Sequence, residues 1–413
     1  MKKSNCLLIL AFFLLFNCPL PAIEISSPHA PSKGPLLVVV IMVKNEEAVI
    51  KQTLQMYCEA DPFGQFISYY VYDTGTDPWS PTMEKALELF KNYQVHYVIA
   101  QEPFEDFARS RNKALRAAEA HYPHAVFMLM PDAEWYINDV SGLLQFCLQH
   151  EHEDQINSYL MRILSTNLDF YTPRLLRAHK NMCFEGVVHE VIKSNENAGM
   201  GPRGVHFNYP DEPAGLQKSQ QRWFRDRDLL LKEYTNNPLD ARNIFYLAQT
   251  YDCLNEFDNA YIYYTKRTQL SGFVEEDYMA HYRLGILCER LAQTASGRYY
   301  WSEALRHYLD AFLMRPIRAE PLVRIAAYYI NQNIYDLAFL YAYMACQIQY
   351  PNDVLFVERE IYDKTRYEIF AKAAFKIDLE IPQRVCQEAV KRNEQAVPLE
   401  KFLLSQSFLR RSF

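Results

Sequence analysis

The stretch "LLVVVIMVKNEE", residues 36–47, decides the fold of the first half of the chain. An unbroken apolar run, β-branched in its middle, is typical of a strand buried on both faces of a sheet. The polar residues KNEE at 44–47 then follow at the carboxyl end of that strand. The next stretch, "EAVIKQTLQMYCE" at 47–59, has its apolar residues at helical spacing. The pattern therefore predicts a strand followed by a helix.

Strand and helix patterns go on alternating as far as residue 130. Unbroken apolar strands separated by helices are typical of a parallel sheet with helices on both faces. The first half is therefore predicted to be a Rossmann-like α/β domain. The further strands are expected at ISYYVYD (67–73), VHYVIA (95–100) and AVFMLM (125–130), and the further helices at PTMEKALELFKNYQ (81–94) and FARSRNKALRAAEAHY (107–122).

Polar stretches follow three of the predicted strands. They are KNEE at 44–47, DTGTD at 73–77 and PDAE at 131–134. Because ligands of such sheets bind at the carboxyl ends of the strands, these stretches are expected to converge on one site. The chain has neither GxGxxG nor GxxxxGK[ST], which excludes an ordinary NAD or P-loop site.

From about Gln220 the pattern changes to helices rich in Tyr and Ala, with an internal repeat. The units at 245–264 and 324–345 share small and aromatic positions, and a middle unit with a short insertion lies between them. Ala304 and Ala338 are 34 residues apart, which is the tetratricopeptide period. The fold class is therefore predicted to be α/β followed by all-α helical repeats.

A chain of 413 residues has room for two or three domains. Two lysines, an apolar run and a Pro-rich exit at the start are typical of a signal peptide or anchor, which predicts the secretory pathway or membrane anchoring through this segment alone. The net charge of −7 argues against nucleic acid as a partner. The predicted parts are a signal peptide or anchor at 1–22, a linker at 23–35, the α/β domain at 36–218, repeats at 219–350 and a C-terminal helical extension at 351–413.

Five stretches, in this order, resemble the inverting family-two glycosyltransferases of GT-A fold, in particular those whose transfer domain is followed by tetratricopeptide repeats. The resemblance covers roughly residues 36–210. It implies a domain that transfers a sugar from a nucleotide-diphosphate sugar to a hydroxyl acceptor with inversion, assisted by Mn²⁺ or Mg²⁺. The stretches are VVVIMVKNEE (38–47), VYDTGTD (71–77), FARSRNKAL (107–115), MLMPDAEW (128–135) and RLLRAHKNMCFEGVVHEVI (174–192).

The resemblance implies a nucleotide-sugar site at the carboxyl edge of the sheet. Asp73 would accept a hydrogen bond from a uracil N–H, although an Asp before Gly75 is also a common start of a turn. Arg109 and Arg111 stand at a helix start, where phosphate binds well, but they would equally suit a solvated helix face. The implied residues are Asn45, Glu46, Asp73, Thr74, Gly75, Arg109, Arg111, Asn112 and Asp132.

A divalent cation would be held by carboxylates after the fourth strand, since Mg²⁺ and Mn²⁺ prefer carboxylate oxygen. Aligned without a gap, the DxD positions of the family fall on Pro131 and Ala133, and shifted by one they fall on Asp132 and Glu134. A hydrophilic turn that ends a strand is the alternative interpretation. The resemblance implies a further ligand at His206, with His189 as the competitor.

The base that deprotonates the acceptor hydroxyl is expected to be Glu190, with Glu185 as the alternative. The repeats would hold a glycan, peptide or lipid acceptor, and Tyr261, Tyr263 and Tyr328 are expected to face outward on them. The leading hypothesis is thus an inverting glycosyltransferase. The alternative is a catalytically degenerate, glycosyltransferase-like protein whose repeats bind other proteins.

Overall fold

The computed structural model describes residues 23–27, 34–75, 79–193, 197–209, 214–292 and 298–377. The predicted signal segment at 1–22 and the end of the predicted C-terminal extension lie outside these residues.

Within the described residues, the first half of the chain folds into strands and helices that alternate from the second strand to the fifth. The strands are β1 (Ile23–Ser26), β2 (Leu37–Val43), β3 (Ile67–Asp73), β4 (His96–Gln101), β5 (Phe127–Leu129), β6 (Tyr136–Ile137), β7 (Ser158–Leu164), β8 (Leu168–Arg177), β9 (Cys183–Glu185), β10 (Val191–Lys193), β11 (Ala198–Met200) and β12 (His206–Asn208). The helices are α1 (Ile50–Ala60), α2 (Pro81–Phe90), α3 (Phe107–His121) and α4 (Val140–Gln149).

The centre of the sheet is parallel, as the apolar runs predict. Strand β2 pairs in parallel with β3 on one side and β5 on the other, and β3 pairs in parallel with β4. The full strand order is β1-β4-β3-β2-β5-β8-β7-β12-β6. Strand β8 runs antiparallel to both β5 and β7, so the complete sheet is mixed.

The two faces of β2 explain why its sequence is apolar without a break. Leu37, Val39 and Ile41 pack on the face that carries α1 and α2. Val38 and Val40 pack on the opposite face, together with the buried side of α3. Because a strand turns alternate side chains to opposite faces, a strand covered on both faces has no position for a polar residue.

The path of the chain places a topological switch point beside β2. From β2 the chain moves outward through β3 to β4, and it then returns to add β5 on the other side of β2. A crevice opens where strand order reverses in this way, and ligands of open α/β sheets bind there. The residues after β2 and β5 therefore flank the expected binding crevice.

The second half of the described chain is helical and folds into successive packed helices. They are α5 (Ala214–Asn236), α6 (Ala241–Cys253), α7 (Phe257–Arg267), α8 (Val274–Ala292), α9 (Arg298–Met314), α10 (Glu320–Asn331), α11 (Tyr335–Gln347) and α12 (Arg366–Ile377).

Small residues let these helices approach closely, as the repeat pattern predicts. Ala248, Ala304 and Ala338 are fully buried between helices. A Cβ on Gly285 of α8 would overlap the ring of Tyr308 on α9, so this position requires glycine. The helical repeat is therefore confirmed as an architecture of packed helices.

The segment after the repeats returns to the α/β sheet. Strand β13 (Val357–Glu358) pairs antiparallel with β8, and Val354 accepts a hydrogen bond from the backbone N–H of Tyr171 at 2.8 Å. Glu275 of α8 accepts hydrogen bonds from the backbone of Val354 and Leu355. This segment thus links the two parts, through main-chain contacts to the sheet and through the side chain of Glu275 to the repeats.

Four predictions need correction. The predicted linker contains β1, which pairs with β4, and the predicted helical extension contains β13. Helix α5 runs across the predicted boundary at 218/219. Tyr263 and Tyr328 do not face outward. Tyr263 stacks on Tyr251, Tyr328 stacks on Trp301, and Tyr261 is half-buried, because aromatic side chains fill the spaces that the small residues leave.

Candidate functional site

The loops after β2 and β3 meet at the carboxyl edge of the sheet. The backbone N–H of Thr74 donates to the carbonyl of Val43 at 2.8 Å, and its hydroxyl donates to the same oxygen at 3.1 Å. Asn45 is exposed with a positive φ of 56°, and Glu46 beside it is half-buried. The predicted residues of these two loops are therefore brought together.

Asp73 begins a turn, and its side chain is fully buried. One carboxylate oxygen accepts from the backbone N–H of Gly75 at 2.7 Å, and the other accepts from the hydroxyl of Ser80, the N-cap of α2. Both oxygens thus have protein partners, which matches the turn interpretation and leaves less capacity for a uracil N–H.

The three polar residues predicted at the start of α3 have different surroundings. The side chain of Arg109 is 73% exposed and pairs with Asp106, the N-cap of the helix. Asn112 joins α3 to β9, since its amide donates to and accepts from the backbone of Phe184 at 2.8 and 2.7 Å. Only Arg111 points into the buried edge of the sheet.

Arg111 lies at the centre of a cluster of four charged side chains. Its Nη2 donates to Asp132 at 2.8 Å, and its Nε lies 2.7 Å from Glu190. Arg174 of β8 approaches the same Glu190 oxygen at 3.2 Å and Asp132 at 3.9 Å. Helix α3, the loop after β5, strand β8 and the loop before β10 each contribute one residue. We call these four residues the edge cluster.

The two acids of the edge cluster are held in their charged forms. Burial raises the pKa of Glu190, but the charges of Arg111 and Arg174 outweigh it, so the pKa lies below the usual value. The same balance of burial against the two arginines lowers the pKa of Asp132. Two positive and two negative charges cancel, so the cluster offers no excess positive charge to a diphosphate.

Three buried donors of the edge cluster nevertheless lack hydrogen-bond partners. They are Nε and Nη1 of Arg111 and Nε of Arg174. Nε of Arg111 is close to Glu190 only as an ion pair. Buried guanidinium N–H groups are almost always satisfied, so unpaired ones need an explanation such as water or an anion at the site. A polar ligand bound at this edge of the sheet would therefore form hydrogen bonds with donors that have no partner in the protein.

The predicted metal ligands do not converge. Among the described residues, Asp132, Glu134, His206 and His189 are not part of any group of three ligand-type side chains whose atoms lie close together. His206 begins β12, and its N–H donates to Asn138. The backbone carbonyl of Asp132 closes a turn by accepting from the backbone N–H of Trp135 at 3.1 Å, and its carboxylate bonds to Arg111.

His189 and Glu185 have other surroundings than predicted. The ring of His189 stacks on Tyr246 of α6 with centroids 4.2 Å apart, and its carbonyl accepts from Arg242 at 3.0 Å. His189 therefore serves the contact between the sheet and the repeats. Glu185 is exposed at the end of β9. Of the two proposed bases, only Glu190 lies in the edge cluster.

Two further residues of the site were missed from the sequence. Arg174 stands inside an apolar strand, where a buried partner could not be foreseen. Asp226 of α5 is buried, and its Oδ1 has no hydrogen-bond partner. Burial raises its pKa to about 6, against the opposing charges of Arg222 and Arg225, and the charge of Glu190 adds to the rise. A buried carboxyl with such a pKa is a candidate acid–base group.

Comparison with known proteins leaves the family open. No family model matches this chain, and no curated protein matches it. In the described part of the chain, no helix is both long and apolar enough to cross a bilayer.

Solved structures match part of the chain at low identity. The crystal structure of MamA is 14% identical over 47% of this chain and 98% of its own, with a TM-score of 0.31. TTC0263, a thermophilic TPR protein of Thermus thermophilus, is 16% identical over 46% of this chain and 92% of its own, with a TM-score of 0.30. Yeast Tom70 is 16% identical over 44% of this chain and 36% of its own, also at 0.30. At these scores the assignment of the repeats rests on the packed helices themselves.

Proposed function

We propose that the protein is a repeat-based interaction protein whose glycosyltransferase-like α/β domain has lost transfer activity. The observation that carries the proposal is the state of Glu190. A general base works best with a pKa near the working pH. Arg111 and Arg174 hold the pKa of Glu190 low, and its side chain is only 7% exposed, so it is a weak and poorly accessible proton acceptor.

The state of the metal candidates supports the same proposal. Asp132 is engaged by Arg111, and the DxD positions of the ungapped alignment hold Pro131 and Ala133. A divalent cation at Asp132 would compete with Arg111 for the carboxylate and would upset the charge balance of the edge cluster. Loss of the metal would remove the group that stabilises the leaving diphosphate.

The repeats offer a surface that suits a protein partner. Leu337, Leu340 and Met344 lie on one side of α11 at helical spacing, and each is exposed. Exposed apolar side chains in one stripe are typical of interaction sites, and a helix with an apolar face docks on such a stripe. We infer that the partner presents an amphipathic helix to α11.

The test replaces the native gene with single-residue variants and compares the resulting phenotypes. Leu340→Asp should reproduce the loss of the whole protein, because a charge on the stripe repels an apolar partner. Glu190→Gln should behave as wild type. Leu340→Ala, which keeps the stripe apolar, is the matched control. A phenotype in Glu190→Gln at wild-type protein level, with none in Leu340→Asp, would overturn the proposal.

A second candidate function is sugar transfer from a nucleotide-diphosphate donor, with Mn²⁺ or Mg²⁺. It is favoured by the switch point between β2 and β5 and by the unpaired donors of Arg111 and Arg174. A diphosphate could satisfy these donors if Glu190 moved away. Asp226, with a pKa of about 6, would then suit the base role better than Glu190.

Calorimetry with UDP and GDP, each with and without Mn²⁺, decides between the two functions. The degenerate protein binds neither nucleotide in a metal-dependent way, and it releases no nucleotide from UDP- or GDP-sugars. Metal-enhanced binding that disappears in Asp132→Asn would favour transfer. Arg109→Ala, at an exposed position of the same helix as Arg111, is the control for a nonspecific loss of charge.

A further inference from the structure

Three side chains with metal-binding chemistry meet inside the repeats, and none of them is a residue that the sequence predicted to hold a metal. His281 lies on α8, and His307 and Asp310 lie on α9. Their ligand atoms all lie within 4.8 Å of one another. Both histidines are buried, while Asp310 is half-exposed and opens the group to solvent.

The distances within the group match a small tetrahedral ion. The two Nδ1 atoms are 3.3 Å apart, and Nδ1 of His281 lies 3.7 Å from Oδ2 of Asp310. Zinc–ligand bonds of about 2.0–2.2 Å at tetrahedral angles separate neighbouring ligand atoms by roughly 3.3–3.6 Å. The nitrogen pair fits without movement, and the distance between the carboxylate and Nδ1 of His281 needs to close by only a few tenths of an ångström.

The helix pair holds these ligands in fixed positions. His307 and Asp310 are three residues apart and therefore share one face of α9. On α8, Gly285 lies one turn after His281 and lets Tyr308 pack against the helix axis. The close approach at this glycine brings the two histidine rings together.

In the absence of a metal, Arg306 supplies the positive charge beside these ligands. Its Nη2 lies 3.0 Å from Nε2 of His307, and its Nη1 donates to Asp310 at 3.2 Å. A guanidinium only donates, so Nε2 of His307 accepts, and the proton of this ring is on Nδ1, where it bonds to Nδ1 of His281. The side chain of Arg306 is more than half exposed and also pairs with Glu303, so it can leave the site.

We propose that His281, His307 and Asp310 form a binding site for a zinc-type divalent cation, with water completing the tetrahedron. On binding, the His307 proton moves from Nδ1 to Nε2, and both Nδ1 lone pairs turn to the metal. The protonated Nε2 can no longer accept from Arg306, so the guanidinium leaves as the cation enters. The site is independent of the proposed loss of transfer activity, because it lies in the repeats.

Burial favours the neutral imidazoles that a metal requires. It lowers the pKa of His307 to about 4, with the charges of Arg306 and His281 adding to the effect. Burial also lowers the pKa of His281, against the opposing charge of Asp310. At neutral pH neither ring has to lose a proton before it binds a metal.

The experiment titrates the full chain with Co²⁺ and follows the visible absorption of tetrahedral cobalt, then repeats the titration with Zn²⁺ by calorimetry. Wild type should bind one equivalent with the intense tetrahedral spectrum. Asp310→Asn, at the half-exposed position, should weaken binding at least tenfold without unfolding the chain, and His281→Gln should abolish the spectrum. Arg306→Ala should bind more tightly than wild type, because it removes the competing cation.

Asp132→Asn is the matched control, since it removes a predicted ligand at the sheet edge and should leave the cobalt spectrum unchanged. The proposal is overturned if wild type binds no Co²⁺ or Zn²⁺ at micromolar concentrations. It is also overturned if Asp310→Asn and His281→Gln, both folded by circular dichroism, bind as wild type does. Binding lost only in Asp132→Asn would move the metal to the sheet edge.

Discussion

The edge cluster of the α/β domain and the buried ion-pair group of the repeats use the same chemistry in different ways. In the repeats, Arg318 and Glu320 are both fully buried and pair at 2.7 Å, and Arg318 also reaches Asp353 at 3.2 Å. Every N–H direction of Arg318 has an acceptor, including the carbonyls of Leu355 and Phe356. In the edge cluster, Arg111 has an unpaired Nη1, and the side chain of Asp132 is 37% exposed.

This difference distinguishes a group with a structural role from a candidate ligand site. We call the structural group, Arg318 with Glu320 and Asp353, the joint. Arg318 fixes the returning segment before β13 to the repeats, and all of its donors are used. Such a group has nothing left to offer a ligand. The edge cluster lies at the switch point of the sheet with donors unpaired, which is what a ligand site retains. Buried charge is thus common to both groups, and what distinguishes the edge cluster is unpaired donors at the switch point of the sheet.

The largest expected loss of stability comes from a substitution in the joint. Arg318→Met should lower the free energy of unfolding by about 3–5 kcal/mol, because Glu320 remains fully buried without its cation, while Asp353 keeps Arg315. Urea unfolding followed by circular dichroism measures the loss. Arg290→Met, at a half-exposed arginine that pairs with Asp252, should cost less than about 1 kcal/mol. A loss for Arg318→Met no larger than for Arg290→Met would contradict the comparison.

The second effect concerns Asp226, beside the edge cluster. Its pKa of about 6 in the folded chain exceeds the ordinary value of 3.8, so the folded state binds the proton more tightly than the unfolded state. The free energy of unfolding therefore falls as the pH rises from about 4 to above 6. The total loss is about 3 kcal/mol, because each unit of difference between the folded and unfolded pKa corresponds to about 1.36 kcal/mol. Asp226→Asn should be more stable than wild type at pH 7.5, by up to this amount.

The pH dependence is the check on this prediction. At pH 4 the carboxyl of Asp226 is largely protonated in the folded chain, and the advantage of Asp226→Asn should nearly vanish. Urea midpoints of both proteins at pH 4 and pH 7.5 give the comparison. Asp228→Asn, an exposed acid on the same helix, serves as the control. An Asn variant no more stable than wild type at pH 7.5 would show that Asp226 is not held in a destabilised charged form.

The α/β order was predictable because periodicity carries it. Strand β3 begins and ends at the predicted residues, and the predicted helix at 107–122 ends one residue early. The edge cluster was only half predictable. Arg111, Asp132 and Glu190 were singled out by resemblance, but their mutual ion pairs depend on how α3, β8 and the loop before β10 meet in space.

The rest of the fold depends on contacts between residues far apart in the chain. Strand β13 is two residues long and becomes a strand only because β8 offers it a partner. His189 looked like a metal ligand, yet it packs on Tyr246 of the repeats. The sequence cannot show such partners, because burial by a distant segment leaves no local periodicity.

A third effect tests the edge cluster as a site. Arg111→Met removes one of two cations from Glu190, while Arg174 remains at 3.2 Å. The cost should be about 1–3 kcal/mol, less than for Arg318→Met, since the remaining charge keeps a partner and Asp132 keeps access to water. Urea unfolding of the two methionine variants, side by side, measures the difference. Equal costs would mean that the edge cluster is a joint of the same kind.

The smallest expected effect sharpens the contrast within one helix. Arg109 stands two residues before Arg111, but its side chain is 73% exposed, so solvent reaches the guanidinium in its pairs with Asp106 and Glu105. Exposed ion pairs contribute about 0–1 kcal/mol, and salt screens them further. Arg109→Met should therefore shift the urea midpoint far less than Arg111→Met, and the small shift should shrink in high salt. If Arg109→Met instead lowers the free energy of unfolding as much as Arg111→Met, the pair of Arg109 with Asp106 stabilises the N-terminus of α3. Position along the helix, rather than burial, would then decide how much each arginine contributes to stability.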